Sequence, residues 1–494
     1  MPATFPTFQQ LLNLFRYDGA HPLLFHDGTF LVLFTLFFTV YAFIYRFKTA
    51  RMIYLLLFSL FFYWKSSGLY LAILLFTIAF DYCITLLIVR SSKAVGRIWL
   101  IASLLVNLGL LGWFKYTNFF LSNLSLFTGQ NYPLIDLVLP IGISFYTFQT
   151  ISYVVDVYQR KIEPAQSLLD YAFYMSFFPH LVAGPIVRAS DFLPQLRADN
   201  TLSPAMLNFG LWSVFRGLIK KAIIADYIAQ YADIVYAAPQ TYSGFENLMA
   251  MYCYTLQIYC DFSGYSDMAI GLAALMGYKL CENFNHPYRS ADITEFWRKW
   301  HISLSSWLRD YVYIPLGGNR SGAVRQQVNL MLTMLIGGLW HGANWKFVIW
   351  GGLHGLALAI HKLWRIVTKP FPILNNSLVA RFIGWAITLH FVAVLWVFFR
   401  ASSTEAAIAS LKAIALNNDP LAYALPFWQT RSTLVIMLLT GYALVLLKPE
   451  WKNWVYTQFA GSSLILKGLM FLVIVQVILQ FRTVNVQPFI YFQF

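Results

Sequence analysis

The sequence predicts an all-α polytopic membrane protein, with about eleven transmembrane or re-entrant helices around a central funnel and amphipathic helices at its margins. Three observations carry this. Of 494 residues, 59% are hydrophobic and 11% charged, against roughly 25% charged in an average soluble protein. Apolar blocks recur almost to the last residue and leave no polar stretch long enough for a soluble domain, so residues 1–494 read as a single integral-membrane domain. The net charge of +14 gathers in short connections between apolar blocks, as the positive-inside rule expects of cytoplasmic loops. No module combining basic and base-stacking residues accompanies it, so nucleic acid is not an expected partner. The four cysteines, Cys83, Cys253, Cys260 and Cys281, have no C-x-x-C spacing and suggest neither zinc nor a disulfide framework.

The elements follow in order. Phe8, Leu11, Leu12 and Phe15 fall at i, i+3, i+4, i+7, which makes residues 1–27 an interfacial segment on the outer surface. Gly28 to Tyr45 is an eighteen-residue run without a charge, followed by Arg46, Lys48 and Arg51, and so a spanning helix ending inside. Met52 to Trp64 and Leu69 to Val89 form a hairpin about Lys65-Ser-Ser-Gly68 and return to the basic loop Arg90 to Arg97. Further blocks are Ile98 to Phe114, Leu137 to Tyr158, Gln326 to Trp345, Phe347 to Ile360, Phe382 to Phe399, Ser432 to Leu447 and Gly468 to Phe481. Phe173 to Gly184, Met206 to Ile224 and Leu248 to Met276 are spanning or re-entrant. No internal repeat is present, which disfavours an inverted-repeat transporter.

Residues 282–342 differ, because Glu282 to Arg325 is polar, basic and rich in aromatics between apolar blocks. Ala291 to Tyr313 holds no Gly or Pro and predicts one amphipathic helix, with Trp297, His301, Leu304, Leu308 and Tyr311 on one face and Arg298, Ser305 and Arg309 on another. Pro315-Leu-Gly-Gly318 ends it. His341 then sits in a twenty-residue block without Asp, Glu, Lys or Arg. A histidine at membrane depth either serves function or is a buried imidazole bonded to a neighbouring helix, and spacing alone does not separate the two. Gly337, Gly338 and Gly342 allow close backbone approach under either reading. His301, forty positions earlier, is a second candidate or an interfacial histidine. His21, His26, His180, His286, His354, His361 and His390 have no spacing to recommend them, although His180 and His390 need partners in their apolar stretches. Metal binding is not expected, since no H-E-x-x-H or acidic cluster offers His301 and His341 a third ligand. P-loop, G-x-G-x-x-G and G-x-S-x-G motifs are absent. Asp261 and Asp267 lie in an apolar segment and are either catalytic or ion-paired with Arg289, Arg298 or Arg309, docking the amphipathic helix.

A series of motifs occurs in order: Phe178-Pro-His-Leu-Val-Ala-Gly-Pro185, Tyr259-Cys-Asp-Phe-Ser-Gly-Tyr-Ser-Asp-Met-Ala-Ile-Gly271, Asn283-Phe-Asn-His-Pro-Tyr288, Phe296-Trp-Arg-Lys-Trp-His-Ile-Ser-Leu-Ser305, Trp307 to Arg320, Gly338-Leu-Trp-His-Gly342 and the closing Pro488 to Phe494. Through them nearly the whole chain resembles the membrane-bound O-acyltransferases, in the branch of the alginate O-acetyltransferase membrane subunit. The related D-alanyl transfer proteins of teichoic-acid modification share the Trp-His-x-Ser element but lack the run Tyr313 to Gly318. His286 and Ala291 are local variants of the pattern.

The resemblance implies acyl transfer across a bacterial inner membrane by a multi-pass enzyme, serving an exported or surface polysaccharide. His341 matches the family's invariant membrane histidine and His301 its second, less universal one. Trp300, Arg309, Asp310, Tyr313, Trp340 and Asn344 are the supporting positions. An apolar surround keeps an imidazole neutral, the form a general base needs. His341 would take the proton of an acceptor hydroxyl attacking a thioester, while protonated His301, Asn344 or the Trp340 indole would hold the oxyanion. No tightly bound cofactor is implied. Acetyl-CoA or another acetyl thioester is the donor, and a periplasmic serine-esterase-like protein is the partner that passes the acetyl group to the polysaccharide. The rival readings are D-alanyl transfer to teichoic acid and a non-catalytic exporter of polymer or acyl groups.

Overall fold

A chain this apolar has to satisfy its backbone within each segment, and helices do so without partners. The computed structural model describes residues 15–19, 22–182, 184–198, 202–320, 322–371, 373 and 377–481, and these form helices and connections only. Most of the interfacial segment 1–27, including Phe8, Leu11 and Leu12, lies outside the described residues, as does the closing motif Pro488 to Phe494. Five stretches are long and apolar enough to cross a membrane: Lys48–Arg90, Lys93–Thr128, Leu378–Arg400, Pro420–Leu446 and Leu464–Phe481. Gly28–Ile44 is a shorter apolar helix. Other predicted spans are helical but carry buried polar residues, Asn329 and Thr333 in one and Asp261 and Asp267 in another.

Two compact units make up the chain, Met1–Gly210 with Met268–Leu280, and Leu211–Asp267 with Cys281–Phe494. The first begins with α1 (Gly28–Ile44), whose first turn is capped by Asp27, the carboxylate accepting Thr29 N–H at 3.3 Å. Next come α2 (Lys48–Ser67), α3 (Leu71–Arg90) and α4 (Lys93–Leu111). The predicted hairpin turns at Gly68, where φ is +55° and a Cβ would lie 2.8 Å from the Tyr17 ring. Asp81 of α3 is fully buried, and Ser103 Oγ and Asn107 Nδ2 of α4 donate to its two oxygens. A carboxyl in an apolar span is thereby satisfied by the neighbouring helix. The unit continues with α5 (Thr117–Thr128), α6 (Ile143–Tyr158), α7 (Leu168–Ser176), α8 (Phe178–Leu181) and α9 (Ala189–Arg197).

Two predicted segments differ here. The span expected from Leu137 starts at Ile143, because Pro140 and the left-handed Gly142 (φ +76°) precede it. The segment Phe173 to Gly184 breaks at Phe177, one residue before the short Pro179-containing α8.

The chain runs on through α10 (Pro204–Leu218), a π-helical segment Ile219–Ala225, α11 (Asp226–Ala237) and α12 (Gly244–Leu275). The polar region supplies α13 (Ile293–Lys299) and α14 (Ile302–Leu308). The second unit is completed by α15 (Ala323–His341), α16 (Trp345–Val367), α17 (Leu378–Arg400), α18 (Thr404–Leu416), α19 (Pro420–Leu446), α20 (Pro449–Gly461) and α21 (Leu464–Phe481).

Candidate active site

The single amphipathic helix expected over Ala291 to Tyr313 is broken in two, and the break makes the site. Asp292 caps α13 by accepting Glu295 N–H at 2.8 Å, while the Glu295 carboxylate accepts Ala291 N–H at 2.9 Å. After Lys299 the chain turns extended at Trp300 and left-handed at His301 (φ +43°, ψ +56°) before α14 begins. For a histidine that conformation costs on the order of 1 kcal/mol. The adjoining strand of backbone compensates the orphaned groups: Ile302 N–H donates to Asn283 O at 2.9 Å and Asn285 N–H to Lys299 O at 3.0 Å. Neighbours on a continuous helix point about 100° apart, whereas the break turns both Trp300 and His301 into the interior, each 1% exposed or less. The end at Pro315 to Gly318 is as expected, with Gly317 and Gly318 both at positive φ.

Around His301 the polar contacts converge on Asn283. Its Oδ1 accepts Ser303 N–H at 3.3 Å and the Ser303 hydroxyl at 2.9 Å, and lies 3.1 Å from His301 Nδ1. Its Nδ2 donates to Ser266 Oγ at 3.2 Å. The Ser303 backbone N–H can only donate, which fixes Oδ1 as the oxygen facing His301 and puts the imidazole proton on Nδ1. Burial pushes the His301 pKa down to about 3, so the ring is neutral at physiological pH. The protonated His301 considered as an oxyanion donor is therefore disfavoured, and Nε2 of this tautomer is an acceptor.

His341 ends α15 and is 3% exposed. Trp340 packs on both histidines, its ring centroid 6.0 Å from that of His301 and 5.0 Å from that of His341. Trp350 and Phe399 lie 5.0 and 5.1 Å from His341. Glycines place this ring, as their spacing suggested. A Cβ on Gly338 would meet Phe347 O at 2.3 Å and Gly351 Cα at 3.2 Å, so α15 and α16 touch backbone to backbone. A Cβ on Gly342 would meet the Phe347 ring at 2.1 Å.

Asp261 and Asp267 of α12 are ion-paired, with partners other than those expected. Asp267 receives Arg216 and Lys220, the latter at 2.7 Å, and Asp261 receives Lys221. Arg309 instead pairs with Asp310 at 2.7 Å, and neither Arg289 nor Arg298 bonds a carboxylate among the described residues. The reason lies at Gly264, where a Cβ would come 2.9 Å from Gly217 O and 3.0 Å from Lys221 N. That contact seats the segment after α10 on α12, so Lys220 reaches Asp267 on one side and Lys221 reaches Asp261 on the other.

The supporting positions divide. Trp300 and Trp340 are buried in the aromatic layer, Trp300 lying 4.9 Å from Trp396. Asn344 caps α16, its Oδ1 accepting Lys346 N–H at 3.0 Å. Arg309 and Asp310 bond each other at the surface, and Tyr313 lies in a π-helical turn beneath Gly318. Sequence reasoning missed Asn283 as the partner of His301, and His354 as a third histidine of the layer. His354 is fully buried, 4.7 Å from Trp350 by ring centroid, and its Nδ1 accepts Trp297 Nε1–H at 3.3 Å. The i, i+4 spacing of Trp350 and His354 was the available signal. His180 and His390 have partners outside the site, Tyr174 O at 2.9 Å and the Tyr252 hydroxyl at 2.9 Å.

Residues 164–404, which include every one of these site residues, match the model of MBOAT, the membrane-bound O-acyltransferase family. The chain is 40% identical over 399 residues to a peptidoglycan O-acetyltransferase of Helicobacter pylori, covering 75% of each protein. It is 40% identical over 419 residues to a Pseudomonas putida protein named as a probable alginate O-acetylase, covering 80% of this chain and 84% of that one. Similarity to a teichoic acid D-alanyltransferase of Bacillus subtilis is more distant, 28% over 273 residues, covering 53% of this chain and 69% of that one. The chain thus belongs to the membrane-bound O-acyltransferase family and is a multi-pass membrane acyltransferase.

Proposed function

We propose that this acyltransferase moves an acetyl group from a cytoplasmic thioester, such as acetyl-CoA, across the bacterial inner membrane for O-acetylation of an exported or surface polysaccharide. The observation that carries the reading is the placing of His301 and His341, both buried, against the same indole of Trp340. In the proposed reaction His341 takes the proton of an acceptor hydroxyl while its oxygen attacks the thioester carbonyl. The tetrahedral oxyanion collapses, the C–S bond breaks, and the thiolate leaves with the proton that His341 returns to it. A positioned base contributes about 10²–10⁴-fold. Neutral His301, oriented by Asn283, supplies a second acceptor, and the Trp340 indole and Asn344 amide are the candidate oxyanion donors.

His341 has to be reached by a donor from inside and an acceptor from outside, which is why the reading retains a funnel among about eleven spanning or re-entrant helices. The polysaccharide is bulky and hydrated, whereas a serine on a periplasmic esterase-like partner presents a small hydroxyl that can enter such a passage. Alginate-like polymers are the first candidate acceptors, by the run Tyr313 to Gly318 and the name of the Pseudomonas putida relative. The name of the Helicobacter pylori relative favours peptidoglycan as a second reading. The decisive experiment incubates the purified protein with an acetyl thioester and the partner. Acetylation of the partner's serine with little transfer to polysaccharide alone is expected. Efficient acetylation of polymer with no second protein would overturn the relayed step, and absence of transfer from any thioester to any acceptor would overturn the activity.

A further inference from the structure

A lysine at a turn between two apolar blocks ordinarily extends its ammonium to water. Lys346, in the first turn of α16, is instead 7% exposed. A cation there also faces the positive end of its own helix dipole, so its burial calls for a specific partner. That partner is the end of α17. Lys346 Nζ donates to Phe399 O at 3.3 Å and to Ala401 O. Carbonyls at a helix C-terminus lack intrahelical donors and form the negative pole of the helix, which suits an ammonium. Arg400, the basic residue in the last turn of α17 itself, is taken by Asp233. The cation that serves these carbonyls therefore comes from the neighbouring helix.

The same ammonium borders the surroundings of His341. It stands 4.7 Å from the centroid of the Phe347 ring. Phe347 meets Phe399 edge to face at 5.0 Å, and Phe399 in turn lies 5.1 Å from the His341 ring. Phe347 also fills the space that a Cβ on Gly342 would need, directly after His341. The Lys346 backbone is fixed as well, its N–H donating to Asn344 Oδ1 at 3.0 Å. Backbone and side chain of this one residue thus tie the turn that follows His341 to the helix end that carries Phe399.

We propose that Lys346 is a positioning residue of the acyl transfer: it clamps the end of α17 to the start of α16, and through that clamp Phe399 holds the His341 imidazole in its reacting plane. The inference rests on the acyl-transfer reading and adds to it a residue that touches neither substrate nor His341. An edge-to-face contact restricts the rotation of an imidazole only while the partner ring is itself fixed. Phe399 is fixed through its own carbonyl, the atom that Lys346 holds. Removing the ammonium takes that donor from two carbonyls at a buried helix end, and the last turn of α17 is then free to fray and carry the Phe399 ring away from His341. A brace that served stability alone would lower the amount of folded protein and leave the kcat of the folded fraction unchanged.

The test combines kinetics with a probe of His341 that needs no turnover, both on the full chain in nanodiscs. Lys346→Met keeps the length and apolar volume of the side chain and removes its donors; kcat should fall roughly 100-fold with KM for the thioester little changed. Lys346→Arg keeps donors and charge and should recover most of the loss. Phe399→Leu removes the ring and leaves the carbonyl, and should reproduce the loss of Lys346→Met. Because both act through one contact, the double variant should be worse than the poorer single by less than about threefold. Diethyl pyrocarbonate, read histidine by histidine by mass spectrometry, should modify His341 faster in Lys346→Met and leave the rate at His180, buried in the first unit, as in wild type. Wild-type kcat in a folded Lys346→Met protein overturns the proposal, as do losses that multiply in the double variant, or modification of His341 and His180 accelerated together. Wild-type kcat in Phe399→Leu overturns it even if Lys346→Met does not accumulate. A wild-type protein that transfers nothing, but whose His341 is unmasked selectively by Lys346→Met, would uphold the clamp and sink the acyl-transfer reading instead.

Discussion

Asn283 is where one substitution separates geometry from mere stability. Its Oδ1 faces three donors, the Ser303 N–H at 3.3 Å, the Ser303 hydroxyl at 2.9 Å and His301 Nδ1 at 3.1 Å. Asn283→Ala removes that oxygen from a site 1% exposed. The hydroxyl can turn elsewhere, but the two N–H groups are left needing acceptors, at about 1–3 kcal/mol each. Folding stability should fall by roughly 2–4 kcal/mol after partial relaxation, and the imidazole is released from its tautomer and orientation. A misplacement near 1 Å costs about 10²-fold in rate, so kcat should drop by that order with KM for the thioester little changed. Asn283→Asp is the informative companion. A carboxylate accepts the same three bonds and favours the imidazolium, so His301 stays in place but titrates higher. Activity should return at alkaline pH and show an acid limb that the wild type lacks. The assay is a pH series of kcat and KM for acetyl transfer in purified protein. Wild-type kcat in Asn283→Ala, or an Asn283→Asp profile parallel to wild type, would refute the role of Asn283 as a positioning residue.

Three further outcomes are expected. His341→Ala should abolish O-acetylation, a loss of at least about 10²-fold, while protein still accumulates in the membrane; His301→Ala should be severe with residual activity, and normal polymer ester content in a well-expressed His341→Ala strain would sink the assignment. Gly338→Ala pushes a methyl to 2.3 Å from Phe347 O and should cost about 1–3 kcal/mol by overpacking, whereas Gly352→Ala meets only Leu335 Cδ2 at 3.5 Å and should be tolerated; equal Tm values for the two variants would contradict the backbone contact. Acidification should destabilise the fold through His301: above pH 6.5 both states are neutral, and between 6.5 and about 3 the unfolded chain binds a proton that the folded chain excludes, up to about 1.4 kcal/mol per pH unit. The decline of Tm between pH 7 and 5 should therefore be shallower in His301→Gln, and identical slopes would rule out a buried neutral imidazole.

Much of the helical plan is legible because apolar runs and basic turns are local signals. Gly28 to Tyr45, Leu69 to Val89 and Gly468 to Phe481 are helices within a few residues of their predicted bounds. What sequence spacing did not carry is where a long amphipathic pattern is interrupted. Trp297, His301, Leu304 and Leu308 keep helical spacing across a break at His301 that no Gly or Pro announces. The interruption is decided by residues 283–285, which take the freed backbone bonds of Ile302 and Lys299 from nineteen and fourteen positions away. Ion-pair partners were illegible for a related reason. Several cations could have served Asp261 and Asp267, and the choice was made by Gly264, whose missing side chain lets Lys220 and Lys221 approach. Charge sets the need for a partner, and backbone approach selects which one meets it.

Both candidate histidines lie where a helix stops. His301 stands between α13 and α14, and His341 is the last residue of α15. A histidine inside a helix keeps its backbone groups in the ladder and has its direction set by the 3.6-residue repeat, so it cannot be aimed independently of its neighbours. At a break the direction is freed, but backbone groups are orphaned and need other partners. The chain supplies them differently at the two places. Near His301 the Asn283 carbonyl and the Asn285 N–H take over, and Asn283's side chain then holds the imidazole as well. At His341 the turn into α16 is tight, with Asn344 N–H donating to Gly342 O at 3.0 Å and the Asn344 side chain capping the next helix. Asn344 is therefore bound to the geometry of His341 whether or not its amide meets an oxyanion. Asn344→Asp keeps the cap and removes the amide donor, while Asn344→Ala removes both. Equal losses of kcat in the two variants would favour the oxyanion role, because the amide donor is the one group missing from both. A loss confined to Asn344→Ala would reduce Asn344 to a cap and leave the Trp340 indole as the remaining candidate donor to the tetrahedral oxygen.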